Sequence, residues 1–364
     1  MRIQEPGNQK STDSISLPAD LIRILAIVLV IMLHASNEYY GAVAITLEPN
    51  LYWWTATVYK AVAIPCVPLF IMLSGALLLR SSKVNEPIRV FLKKRLRRIG
   101  IAFVFWGAVY LAWSFFDKNI PVTVSNVVQG IIKGLFTGPY YHFWFLYVIA
   151  GLYLITPILR GIVGFGERKI LRYLIVFWFV GIAIVPLIEL AAGYDLSNVF
   201  LIGGWIGYFV LGTYLQRVHV RSSILYVFLS VGLVWTIVST WIMNFAFSSL
   251  NQYNFFMDDQ AANVILASVV LFMILSKFQA DWPGSKHPHL GRVVHEVSMN
   301  TLPIYLFHII ILESLQKGYF GFKLSLTVMN PIVEVPLITA VTLLITLGLV
   351  LIMKKIPILR TLIG

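Results

Sequence analysis

The sequence predicts an all-α, polytopic membrane protein of about ten transmembrane helices, with both termini on the cytoplasmic side. Three observations predict it. Apolar runs long enough to cross a bilayer recur along the whole chain of 364 residues. Hydrophobic residues make up 59% and charged residues 12%, with a mean hydropathy of +0.82. A soluble domain carries roughly twice that charged share, whereas lipid solvates apolar surface that water would not. Lastly, Lys and Arg crowd into alternate connections between the apolar runs. The net charge of +12 therefore reads as basic cytoplasmic loops and not as a nucleic-acid footprint.

The spans fall, in order, at residues 20–40, 52–79, 99–116, 141–160, 171–191, 199–215, 222–244, 261–277, 299–316 and 333–353. The longest connections are 80–98, 117–140 and 278–298. None is long enough for a soluble domain, so residues 1–364 read as a single membrane domain with a cytoplasmic tail over 1–19. The first apolar segment is long, and no small-residue cleavage site follows it, so no cleavable signal peptide is expected. Cys66 is the single cysteine, which excludes an intrachain disulfide and a cysteine-cluster metal site. No metal is expected.

Sidedness follows from the basic residues. With the N-terminus inside, the inner segments hold Arg2, Lys10 and Arg23, eight basic residues in 80–98, and Arg160, Arg168, Lys169 and Arg172. They also hold Arg217, Arg221, Lys277, Lys286, Arg292, Lys354, Lys355 and Arg360. The outer segments hold only Lys118, Lys133, Lys317 and Lys323, and Lys60 falls within a span. Such asymmetry predicts an inside N-terminus and an even number of spans.

The first span contains chemistry that an anchor does not need. Arg23 lies at its inner end and His34 eleven residues on. That separation is about 16 Å along a helix, with the two side chains within about 20° of one face. One reading makes His34 a hydrogen-bonding link between helices. The other makes it a general base, reached by a reactant that Arg23 helps to position. After the second span comes Lys93-Lys94-Arg95-Leu96-Arg97-Arg98, five basic residues in six positions. Arg95 and Arg98 share a face if this segment opens the third helix. Paired arginines suit bidentate phosphate binding, and a patch for anionic lipid headgroups is the plainer reading.

Later spans add candidates. The fourth opens on Tyr140-Tyr141-His142-Phe143-Trp144-Phe145-Leu146-Tyr147, an aromatic start that fits the outer interface. His142, Trp144 and Tyr147 are either ordinary interfacial residues near water or contacts to a sugar, since aromatic faces with polar tips suit carbohydrate. Arg160 ends this span on the inner side. In the ninth span His308 lies near mid-membrane, where it is either a packing residue or part of a functional site, and Pro303 is expected to kink the helix. Glu313 is five residues beyond His308, about 140° around the helix. It is therefore expected to pair with another helix. Ser74 and Gly75 in the second span are small enough to let another helix approach closely.

The order Arg23-x10-His34, Phe70-Ile-Met-Leu-Ser74-Gly75, Arg95-x-x-Arg98, His142-Phe-Trp-Phe-Leu-Tyr147 with Gly151 and Pro157, and Ile304-Tyr-Leu-Phe-His308 resembles the acyltransferase 3 family of integral membrane acyltransferases. The likeness extends over nearly the whole chain and is nearest to the stand-alone sugar O-acetyltransferases. It implies transfer of an acyl group, usually acetyl from acetyl-CoA, to a cell-envelope glycan. It implies His34 as the catalytic residue, with Arg23, Arg95 and Arg98 at the acyl-CoA. Arg160 as a further donor contact, and His142, Trp144, Tyr147, His308 and Glu313 as acceptor contacts, are expectations from position alone. The partners implied are acetyl-CoA, an envelope glycan and membrane lipid, with no nucleic acid, in a bacterial inner membrane. Two other readings stand beside this one. The chain could be a transporter or flippase whose histidines relay protons, although it has no clear internal repeat of the transporter kind. It could also be a scaffold or sensor with a decayed site.

Overall fold

The computed structural model describes residues 17–43, 49–83, 85–164, 168–192, 204–246, 255–278, 288–325 and 328–364. Most of the expected N-terminal tail lies outside them. The described residues are helical with no strand, as a bilayer requires of a chain that must satisfy its own backbone polar groups.

The helices are α1 (Leu17–Val43), α2 (Leu51–Ala63), α3 (Cys66–Leu78), α4 (Ile88–Asp117), α5 (Val124–Thr137), α6 (Trp144–Gly164) and α7 (Arg168–Phe179). They continue with α8 (Val185–Ala192), α9 (Gly204–Leu215), α10 (Ser222–Trp241) and α11 (Ala262–Ser276). The last are α12 (Pro288–Met299), α13 (Thr301–Lys317), α14 (Pro331–Lys354) and α15 (Pro357–Leu362). Eight helical stretches among the described residues are long and apolar enough to cross a bilayer, and nine if one bent pair counts as a span. The protein is thus an all-α polytopic membrane protein.

The span over 199–215 is present as α9, whose twelve described residues fall short of the roughly 17 that a crossing needs. Residues 199–203 lie outside the described part. Three segments read as connections are helical. The basic run lies inside α4, which starts at Ile88 and not at 99, so Arg95 and Arg98 do share a helix face. The connection 117–140 contains α5, whose apolar side stays exposed at Val128, Ile131, Ile132 and Leu135. Such a helix suits the membrane interface. The connection 278–298 contains α12, which meets α13 at an angle of 72°. The bend falls at Met299–Thr301, before Pro303, which sits in the first turn of α13. There a missing backbone N–H leaves no intrahelical bond unmade.

At the centre is α1, packed against α2, α3, α11, α12, α13 and α14. Its run of Leu, Ile, Val and Ala between Arg23 and His34 can face either lipid or protein, and here Ala26, Ile27, Val30 and Ile31 are buried in the core. Helices α3 and α9 approach each other closely through glycine. A Cβ on Gly75 would lie 1.7 Å from the carbonyl oxygen of Phe209, and one on Gly212 would lie 1.9 Å from that of Met72. Thr213 Oγ1 donates to the Gly75 carbonyl at 2.8 Å. Lipid tails are as apolar as leucine, so such backbone approach and interhelical hydrogen bonding drive association in place of the hydrophobic effect.

Candidate active site

Two polar levels lie along α1. At the inner level Arg23 Nη1 donates to Asp20 Oδ1 and to Ser298 Oγ, both at 3.3 Å. Ser298 Oγ donates to Asp20 Oδ1 at 2.6 Å, and His295 Nδ1 donates to Asp20 Oδ2 at 3.1 Å. Asp20 is 5% exposed, and three donors on its two oxygens meet the demand of a buried carboxylate. This network ties α1 to α12 and fixes the direction of Arg23. Arg95 and Arg98 stand close enough to act electrostatically on Arg23. Arg95 is half-buried, with its guanidinium 5.9 Å from the centre of the Tyr153 ring, and Arg98 is exposed. The three cations come from α1 and α4, on the side that the basic residues assign to the cytoplasm. At the opposite end of α4 and α13, Asp117 pairs with Lys317.

Arg160 has a different situation. It is 3% exposed, donates through Nε to the Leu78 carbonyl at 2.8 Å, and pairs through Nη2 with Glu86 at 3.0 Å. Its guanidinium also lies 4.4 Å from the centre of the Phe91 ring. One buried side chain thereby joins the C-terminal end of α3, the following turn, the start of α4 and α6. A cation at a helix C-terminus meets carbonyls that the helix leaves free.

At the second level three histidines from three helical segments converge. The His34 ring centre is 5.3 Å from that of His308, and His308 is 5.7 Å from His142. His142 and His308 are fully buried, whereas His34 is only partly so. His308 Nδ1 donates to the Tyr305 carbonyl at 2.6 Å, which leaves Nε2 with its lone pair, buried and without a hydrogen-bond partner. Both ring nitrogens of His142 are likewise buried without partners. The expectation of a water-facing His142 is therefore corrected. The turn Tyr141–Phe143 tucks its ring inward, and Tyr305 clamps it by donating to the His142 carbonyl at 2.6 Å. Tyr141 is 53% exposed and meets the His34 ring edge-on at 5.3 Å.

Trp144 and Tyr147 do not join this cluster. Trp144 packs on Trp205 at 5.4 Å between ring centres. The Tyr147 hydroxyl donates to the Leu135 and Gly134 carbonyls at 2.8 and 3.2 Å, closing the end of α5. Glu313 pairs across helices, as its position around α13 requires. It accepts from the Tyr140 hydroxyl at 2.6 Å and from Trp113 Nε1 at 2.7 Å. Glu313→Ala is expected to lower stability by about 1–3 kcal/mol, because two part-buried donors lose a charged acceptor. A double-mutant cycle with Trp113→Phe on purified protein checks this. Additive losses would show that the pair is not coupled.

Sequence reasoning gave no role to Asp20, Ser298, His295 or Tyr141. The Asp20-x-x-Arg23 spacing was a readable signal. Ser298 and His295 lie 278 and 275 residues from Asp20, in a segment without a spanning pattern of its own. Among the described residues no group of three or more His, Cys, Asp or Glu side chains could hold a metal ion.

A partly accessible imidazole, backed by a second imidazole with a free lone pair, is suited to accepting a proton within the membrane. A cluster of cations from α1 and α4, at the inner end of the helix that bears this imidazole, is suited to an anionic reactant. The family model for an acyltransferase domain matches residues 19–351. No curated protein and no solved structure matches the chain.

Proposed function

Because this chain belongs to the acyltransferase 3 family of membrane acyltransferases, we propose that it transfers an acetyl group from cytoplasmic acetyl-CoA to a hydroxyl of a cell-envelope polysaccharide or lipid-linked glycan. We assign it to the inner membrane of a bacterium. The observation that carries this reading is the arrangement of α1. It bears Arg23 beside Arg95 and Arg98 at one level and the accessible His34, backed by His308, at the other.

In this reading the phosphates of the donor dock on Arg23, Arg95 and Arg98. The thin pantetheine arm then runs along α1 toward His34 and brings the thioester carbonyl close to its ring. The acceptor hydroxyl enters from the opposite side, past the exposed edge of Tyr141. His34 takes the hydroxyl proton as the oxygen attacks the thioester carbon. The carbon–sulfur bond breaks, and the proton leaves with the CoA thiolate. A double displacement through an acetyl-imidazole on His34 uses the same groups in two steps. Arg160 serves the donor site indirectly, by holding the first turn of α4.

Membranes incubated with radiolabelled acetyl-CoA test the proposal. Label in the extracted glycan supports it. Acceptor movement without label would favour a transporter, a reading to which the broken α12–α13 pair lends some support. Replacing both Arg95 and Arg98 by alanine is expected to raise the KM for acetyl-CoA at least about tenfold, since each charge-assisted contact contributes about 1.5–3 kcal/mol. Unchanged KM values in the same assay would assign the pair to lipid or to topology alone.

A further inference from the structure

Beyond Arg23, Arg95 and Arg98, the inner face holds a second set of cations. After α14 the chain turns at Ile356 and folds back as α15. Trp106 Nε1 donates to the Ile363 carbonyl at 3.3 Å, and Ile363 is fully buried. A Cβ on Gly364 would lie 3.0 Å from Leu302 and 3.7 Å from Ala102. The end of the described chain is thus wedged between α4 and the start of α13. Arg95, Arg98, Ala102 and Trp106 fall within about 80° of one another around α4. The chain end therefore docks on the very face of α4 that bears the paired arginines.

This fold-back brings two more cations to the arginines. Lys354, at the end of α14, lies within electrostatic reach of Arg98 and Arg360, with Glu296 as an acidic neighbour. Arg360 is exposed. Arg98 thus belongs to two overlapping groups, one with Arg23 and Arg95 and the other with Lys354 and Arg360. The cations gathered from α1, α4, α14 and α15 outnumber the two acidic side chains beside them, Asp20 and Glu296, and so attract a further anion. Two groups sharing one arginine suit a ligand with two separated phosphate centres. Lys354 and Arg360 lie beyond the residues that match the family, 19–351, so family membership gives them no role.

We propose that Lys354 and Arg360, delivered by the fold-back of α15, form a second phosphate subsite that binds the 3′-phosphate of the acyl-CoA donor, while Arg23 and Arg95 face its diphosphate. This rests on acetyl-CoA being the donor. Binding the separate phosphate at the outer group aims the diphosphate, and the pantetheine behind it, toward Arg23 and the α1 face that leads to His34. The chain end then determines which donor is accepted. A donor lacking the 3′-phosphate loses only the outer contacts.

The test compares acetyl-CoA with acetyl-3′-dephospho-CoA as donors for wild-type protein in neutral-lipid nanodiscs and for Lys354→Ala/Arg360→Ala. The wild type is expected to prefer acetyl-CoA by about tenfold or more in kcat/KM. The double variant should raise the KM for acetyl-CoA by a similar factor, leave kcat unchanged, and leave the dephospho donor unaffected. Lys354→Arg/Arg360→Lys should restore the preference. Equal losses for both donors, or a fall in kcat alone, would indicate a structural role and overturn the proposal. So would loss of co-purified anionic lipid, read by mass spectrometry, with the donor preference intact. If the double variant does not fold, Arg360→Gln alone serves, its guanidinium being exposed. If wild-type protein neither binds nor uses acetyl-CoA, the donor reading itself has failed, and the 3′-phosphate subsite is overturned with it.

Discussion

Replacing His34 by alanine is expected to lower the proposed acetyl transfer by about 10²–10⁴-fold, the contribution of a well-placed general base, and by more if the imidazole carries the acetyl group. The protein should still fold. His34 is only partly buried, and its removal leaves the His308–Tyr305 and His142–Tyr305 hydrogen bonds in place. Radiolabel transfer to glycan and thermal unfolding of the purified protein, measured together, separate chemistry from stability. Near-normal transfer by a well-folded His34→Ala protein would sink the assignment. His308→Ala provides the contrast. It removes a fully buried ring in contact with His34, so its melting temperature should fall, whereas that of His34→Ala should hold.

The largest effect on stability is expected from Gly212→Leu. At this position the first side-chain carbon alone would sit 1.9 Å from the Met72 carbonyl oxygen and 2.5 Å from its carbon. Both atoms are backbone, so no rotamer change relieves the clash, and α3 and α9 must separate. Separation would also break the bond from Thr213 Oγ1 to the Gly75 carbonyl. The loss should be about 3 kcal/mol or more, at or above the upper end of overpacking costs. Thermal unfolding in detergent checks this, with Gly161→Ala as control, because an added Cβ there meets nothing within 4 Å. A Gly212→Leu protein that melts like wild type would show that the two helices are not held by this contact.

The class of protein and the axis of the candidate site are legible in the sequence. A span is a local property, since about 20 apolar residues either suffice to cross a bilayer or do not. The shared face of Arg23 and His34 is equally local, because helix periodicity links residues eleven apart. Arg95 and Arg98 were legible for the same reason once α4 was known to begin at Ile88. Ser74 and Gly75 were legible as small residues, but the identity of the partner helix was not.

What surrounds that axis follows from how the helices pack. Lipid and protein interior are alike apolar, so hydropathy does not say which face of a span meets another helix. For that reason His142 reads as interfacial in sequence and is fully buried in the fold. His34 and His308, 274 positions apart in sequence, meet only because α1 packs against α13. Two of the three donors that hold Asp20 come from α12, and two further cations beside Arg98 come from the end of α14 and from α15. Each of these contacts depends on interhelical packing and buried hydrogen bonding. Neither leaves a periodic trace along the chain.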